Sequence, residues 1–155
     1  MRSGKPGWRS ASARYLAVIA VIHLVWEVVQ LPLYTLWTEG TRAAQVFAVL
    51  HCTAGDVLIA ASTLGCGLLI AGGRDWPAMR FWPVAGITMV LGLTYTGLSE
   101  WLNVYVRQSW TYSPLMPTLA FGQIRIGLSP LAQWLIVPGL GFAMVQYRQR
   151  HNLKH

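Results

Sequence analysis

Apolar residues fill four long runs of this chain, and the polar positions inside them recur at three- and four-residue spacing rather than in alternation. Each run reaches the ~20 residues that an α-helix needs to cross the roughly 30 Å hydrocarbon layer of a bilayer. The pattern predicts helices over about 14–37, 43–72, 82–105 and 128–147. The fold class expected is an all-α integral membrane protein, a four-transmembrane-helix bundle, with a short arm at 1–13 and a tail at 148–155. The first run resembles a signal peptide in outline, but it continues past Glu27 without a small-residue cleavage site and reads as a permanent helix.

Local residue types refine the four elements. Pro32 falls in the last turns of the first helix and predicts a kink there, since neighbours in a bundle can satisfy the freed carbonyl. Ala54, Gly55, Ala60, Ala61, Gly65 and Gly67 make the second helix rich in small residues, which predicts that it is the central, most buried one. The connection over 106–127 carries Pro114, Pro117 and several aromatics. It is too apolar for a free loop, so it is expected to fold back over the bundle end as a candidate lid.

The acidic residues change the picture. Glu27, Asp56 and Glu100 lie inside apolar runs, where an ionisable group costs about 2.5–3.5 kcal/mol at mid-bilayer and marks a functional path. A rise of 1.5 Å per residue places Glu27 about 18 Å and Glu100 about 25 Å above the inner face, with Asp56 at about 14 Å and His51 at about 22 Å. Helical phase puts His23, Glu27, Gln30 and Tyr34 on one stripe, and Thr96, Ser99, Glu100 and Asn103 on another. Ser129, Gln133 and Trp134 open the fourth helix. These stripes predict a polar pocket at mid-depth and in the outer half, above a nearly apolar inner half.

Composition agrees. The chain is 54% hydrophobic and 11% charged, against the roughly 25% charged of a soluble domain. Its formal net charge of +7 suggests nucleic acid only until the positions are read. Arg2, Lys5, Arg9, Arg14, Arg74, Arg80, Arg148, Arg150 and Lys154 fall on the side of the termini, and only Arg42, Arg107 and Arg125 on the other. That asymmetry predicts cytoplasmic termini in a bacterial inner membrane and no nucleic-acid partner. Cys52 and Cys66 lie about 21 Å apart along one helix, beyond disulfide reach, and read as packing residues. No spacing of Cys and His suggests a metal site.

A carboxyl group without a basic partner in a low-dielectric surrounding favours its neutral form, which can donate a proton, and a neighbouring imidazole can hold one. His23, Glu27, Asp56 and Glu100 are therefore the candidate catalytic residues. Trp26, Gln30, Tyr34, His51, Thr96, Trp101, Asn103, Gln133 and Trp134 are the candidate pocket residues, with aromatic walls suited to a transient cation. Such a site would take membrane lipids or an apolar small molecule and needs no cofactor. The structural alternative is that Glu27 and His23 form a pair kept for folding specificity, with Thr53, Ser62 and Ser129 as helix–helix contacts.

The H-x-x-x-E of His23 and Glu27, an acid in each of the next two helices, and the WLIVPG beginning at Trp134 resemble the four-helix layout of the sterol isomerase/emopamil-binding (EXPERA) superfamily. That resemblance covers about residues 20–140 and implies an intramembrane cavity, lined by the His and Glu with acids and a Trp from other helices, that shifts a sterol double bond. Leu131 stands where the family has Asn, and Asp56 where it has Glu. The chain also resembles short bacterial inner-membrane proteins without an assigned function. Two further classes remain open on the residues alone, a lipid- or quinone-binding subunit of an electron-transfer assembly and a subunit of a transport assembly. A haem held by both His23 and His51 is disfavoured, because their depths differ by about 10 Å.

Overall fold

The computed structural model describes residues 7–152. Helix α1 spans Trp8–Gln30 and ends in a 3₁₀ turn at Leu31–Leu33; a single-turn helix α2, Leu36–Glu39, precedes α3, Arg42–Ala71. Helix α4, Phe81–Trp101, runs on into a π-helical turn at Leu102–Val106. A two-stranded antiparallel hairpin follows, β1 at Thr118–Phe121 and β2 at Ile124–Gly127, and leads directly into α5, Leu128–Asn152. Four helical stretches, Trp8–Leu33, Arg42–Ala71, Phe81–Val106 and Leu128–His151, are long and apolar enough to cross a membrane.

The long helices form a ring in which α1 packs on α3, α3 on α4, α4 on α5 and α5 back on α1. Helices α1 and α4 are thus diagonal, as are α3 and α5. The polarity of the bundle is inverted relative to a soluble protein. Val21, Val25, Val28, Leu58, Leu69, Ile70, Val90, Leu98, Leu135 and Ile136 are exposed, whereas His23, Glu27, Gln30, Thr88, Thr96, Glu100 and Gln133 are buried. An apolar surface of that extent needs lipid or protein against it.

Three sequence expectations about the helices are revised. Helix α1 starts at Trp8, so only residues 1–6 of the expected arm lie outside the described residues. It also stops at Gln30, because Pro32 enters a 3₁₀ turn and the chain changes direction at Tyr34, whose backbone is extended. The expected kink is therefore a helix end. The second long helix, α3, is not the most buried: 22% of its apolar window is buried, against 44% for α5. Two of its small residues are buried, Ala60 in the core and Gly67, where an added Cβ would lie 2.8 Å from Thr88 Oγ1 and 3.0 Å from the Val84 carbonyl. Ala54 and Ser62 face outward.

The tightest approaches instead involve α5. An added Cβ at Gly92 of α4 would come within 2.2 Å of the Trp134 ring, and one at Gly141 of α5 within 2.6 Å of Ile19 and 2.8 Å of Tyr15. These contacts anchor a core of Tyr15, Ile19, Trp76, Val84, Trp134 and Phe142. Neither cysteine is disulfide-bonded; Cys66 is exposed and Cys52 half-buried, so packing within the bundle does not account for Cys66.

Gly92→Ala is expected to lower thermal stability in detergent by about 1–3 kcal/mol, the usual cost of overpacking. Cys66→Ala, on an exposed face, should leave the melting temperature unchanged. Circular dichroism melts of the two variants beside wild type check both.

Candidate functional site

The core changes character along the bundle. At the end that carries the helix termini it is built from Tyr15, Trp76, Phe81, Phe142 and Val145. Toward the opposite end, one turn at a time, α1 turns His23, Glu27 and Gln30 inward because they share a stripe. Helix α5 meets that stripe with Gln133, and α3 with Asp56.

Gln133 is the centre of this group. Its amide nitrogen lies 2.8 Å from His23 Nδ1, 3.0 Å from Glu27 Oε1 and 2.9 Å from Asp56 Oδ2. His23 Nδ1 is a further 3.2 Å from Asp56 Oδ2. The Gln30 amide donates to Glu27 Oε1 at 2.8 Å and reaches Gln133 Oε1 at 3.4 Å. Ser129 Oγ donates to Gln30 Oε1 at 2.8 Å and accepts from Trp26 Nε1 at 3.3 Å.

A proton count follows from these contacts. The Gln133 nitrogen carries two hydrogens and faces three groups, and the His23–Asp56 contact needs another. The remaining hydrogens come from an imidazole N–H or a carboxyl O–H within the cluster. His23 Nε2 is buried and has no hydrogen-bond partner among the described residues. An imidazole and two carboxyl groups thus converge on a single amide nitrogen.

A second acid stands on α4. Glu100 Oε2 accepts a 2.5 Å hydrogen bond from the Tyr112 hydroxyl, which in turn accepts from the Gly127 backbone N–H at 2.9 Å. Tyr112 also packs at a tilt against Tyr34, with ring centroids 5.8 Å apart and the planes at 51°. The segment around it is pinned to the 3₁₀ turn: Thr35 N–H donates to Thr111 O, Ser113 N–H to Leu33 O and Ser113 Oγ to Pro32 O. The connection expected to fold back does so, and its residues 107–111 cover the bundle end.

Between the two acids lies a cavity of about 590 Å³. It is lined by Glu27, Gln30 and Tyr34, by His51, Cys52 and Asp56 of α3, by Thr96, Glu100 and Asn103 of the third long helix, and by Gln133 and Trp134. Exposed His51 and Tyr95 belong to the same lining. Among the sequence candidates, three do not reach it. His23 sits behind Gln133, fully buried, with its ring 5.5 Å from Trp134. Trp26 is turned toward Ser129, and Trp101 is 41% exposed on the outside of α4. His51 stacks on Phe47 of its own helix at 5.5 Å and is not part of the hydrogen-bonded cluster.

Of the hydroxyls read as helix–helix contacts, Ser129 is one, whereas Ser62 bonds its own helix at Leu58 O and Thr53 Oγ1 has no partner. Asn103 bonds back to Ser99 on its own helix at 2.9 and 3.1 Å. Sequence reasoning missed Tyr112 and the cavity position of Cys52. A tyrosine in the apolar, proline-flanked stretch was the available signal for the first. Among the described residues no three His, Cys, Asp or Glu side chains are placed to hold a metal ion. Comparisons with models of known protein families, with curated proteins and with solved structures gave no match.

Burial, and then the neighbouring Glu100 carboxyl, hold the Tyr112 phenol above its ordinary range. The unfolded chain's phenol ionises near pH 10 while the folded one keeps its proton, so stability is expected to fall as pH rises above about 10. Tyr112→Phe should lessen that alkaline loss, with the Tyr34 phenol, also raised by burial, retaining its share. It should also speed hydrogen exchange of amides over 107–127, because both Glu100 and the Gly127 N–H lose a partner. Chemical denaturation between pH 8 and 11 and exchange mass spectrometry read these effects.

Proposed function

We propose that the chain is a multi-pass protein of a bacterial inner membrane, with both termini cytoplasmic, whose cavity binds an apolar lipid or isoprenoid and moves a proton on it as an isomerase. The observation that carries this reading is the convergence of His23, Glu27 and Asp56 on the Gln133 amide at 2.8–3.0 Å, beside a cavity of about 590 Å³. Carboxyl groups and an imidazole within hydrogen-bonding reach of one another are suited to passing a proton among themselves and to a ligand. Orientation is supported by the sequence count of nine basic residues toward the termini against three at the opposite end.

The chemistry balances with these residues alone. The Glu27 carboxyl O–H adds its proton to one carbon of a ligand double bond, whose π pair forms the new C–H bond. The cation left on the adjacent carbon faces the Trp134 ring, a cavity wall that can lower its energy. A proton then leaves the next carbon for a carboxylate, Asp56 or Glu100, and the C–H pair becomes the shifted double bond. His23, behind Gln133 and 3.2 Å from Asp56, can return the proton to the cluster. The resemblance of the H-x-x-x-E helix to the EXPERA layout supports the same reading, as does the diagonal placement of α1 and α4, which leaves room between Glu27 and Glu100.

Glu27→Gln keeps the shape of the side chain and removes its acid. Lipid extracted from purified wild type is expected to contain an unsaturated apolar ligand that incorporates deuterium at an allylic carbon when the protein is incubated in D2O. Glu27→Gln should remain folded and lose that incorporation by at least 100-fold, the usual contribution of one general acid. Cys52→Ala should retain it. A co-purified quinone that takes up no deuterium in either protein would overturn the isomerase reading and favour a binding subunit of an electron-transfer assembly.

A further inference from the structure

A second concavity lies at the opposite end of the bundle, between α1 and α5. It has a volume of about 320 Å³ and is lined by Ala11, Arg14, Val18, Met144, Val145 and Arg148, closed below by Pro77 and Gln149. Its walls are apolar except at one level. Arg14 lies six residues from the start of α1, about 9 Å, and Arg148 four residues from the end of α5, about 6 Å, so the two exposed guanidinium-bearing side chains flank the groove at similar height. Among the described residues neither is in an ion pair. Asp75, on the loop at this end, is the acid closest in sequence to the groove's Pro77 and forms no ion pair with either. One turn farther into the bundle the lining is Val18 and Met144, an apolar track along two helices that are long enough to span a bilayer.

Two cations above an apolar track match one ligand class. A phosphodiester can accept from both guanidinium groups, and an acyl chain can lie along Val18 and Met144. Basic pockets between membrane helices at the positively charged side bind lipid headgroups by this complementarity. We propose that the α1–α5 groove seats an anionic glycerophospholipid, its phosphate between Arg14 and Arg148 and one acyl chain along the groove. The inference rests on the membrane reading of the four helices and is independent of the acid cluster, which lies at the other end. Seated there, the lipid would clamp α1 to α5, the two helices that present Glu27 and Gln133 to each other.

Native mass spectrometry of the detergent-purified protein, titrated with phosphatidylglycerol or phosphatidylcholine, tests it. Wild type is expected to bind one phosphatidylglycerol at least tenfold more tightly than phosphatidylcholine. The Arg14→Gln/Arg148→Gln double variant should lose that preference, and Arg14→Lys/Arg148→Lys, which keeps both charges, should recover most of it and guards against loss through misfolding. Arg74→Gln/Arg80→Gln removes two charges from the same end outside the groove and should leave the preference intact. Equal loss in that control would overturn the groove in favour of a diffuse basic surface. Equal protection by inorganic phosphate or glycerol phosphate would overturn the lipid, since the acyl track would then contribute nothing. Absence of any preference in wild type, with the Glu27-dependent deuterium uptake intact, would remove this site and leave the proposed reaction standing.

Discussion

His23, Glu27 and Asp56, from two different helices, all meet on a single amide. The exposed faces of the helices are largely valine, leucine and isoleucine, which offer no hydrogen bonds, so these groups are satisfied inside the bundle, by one another, by Gln133 and, for Glu27, by Gln30. An amide suits that task because it is neutral, carries both donors and acceptors and needs no counter-ion. A lysine or arginine in its place would hold the carboxyls as permanent carboxylates. Gln133 bridges the three groups without imposing a charge of its own.

The two ends of the bundle divide the work between packing and chemistry. Tyr15, Trp76, Phe81 and Phe142 fill the terminal end with rings, with Tyr15 and Phe142 centroids 4.5 Å apart and Phe81 edge-on to Phe142 at 5.9 Å. That end is where the bundle is held. The other end keeps a void because its helices are spread by short polar side chains and capped by a chain segment instead of by bulky rings. The hairpin of β1 and β2 is tied to the π-helical turn through Tyr105, whose hydroxyl accepts from Arg125 N–H and donates to Arg125 O.

Much of this was legible in the chain itself. Four helices, their polar stripes and the inward phase of Glu27, Gln30 and Gln133 follow from spacing alone, because a helix fixes which residues share a face. What spacing does not fix is rotation between helices. Trp26 and Trp101, each beside a buried glutamate in sequence, point about 100° away from it around the helix and so miss the cavity. Small residues on α3 likewise looked like a buried face, but a glycine permits a close approach without requiring one, and of the α3 glycines Gly67 alone meets a neighbouring helix that closely. Tyr112 was beyond reach for another reason: a loop has no period, and its place over Glu100 is set by pairing with Leu33 and Thr35, far away in sequence.

The missing side chain at Gly92 bears on more than packing. Trp134 lies flat into the space that a Cβ would take, and Gln133 is its neighbour on α5. Consecutive helical residues point about 100° apart, so the indole plugged into α4 and the amide directed at α1 and α3 form a right-angled bracket. With one arm seated, α5 can neither slide by a turn nor rotate without lifting the ring out of its notch. The Gln133 amide is thereby indexed to its three partners by a purely mechanical key, cut in a helix that contributes nothing to those hydrogen bonds.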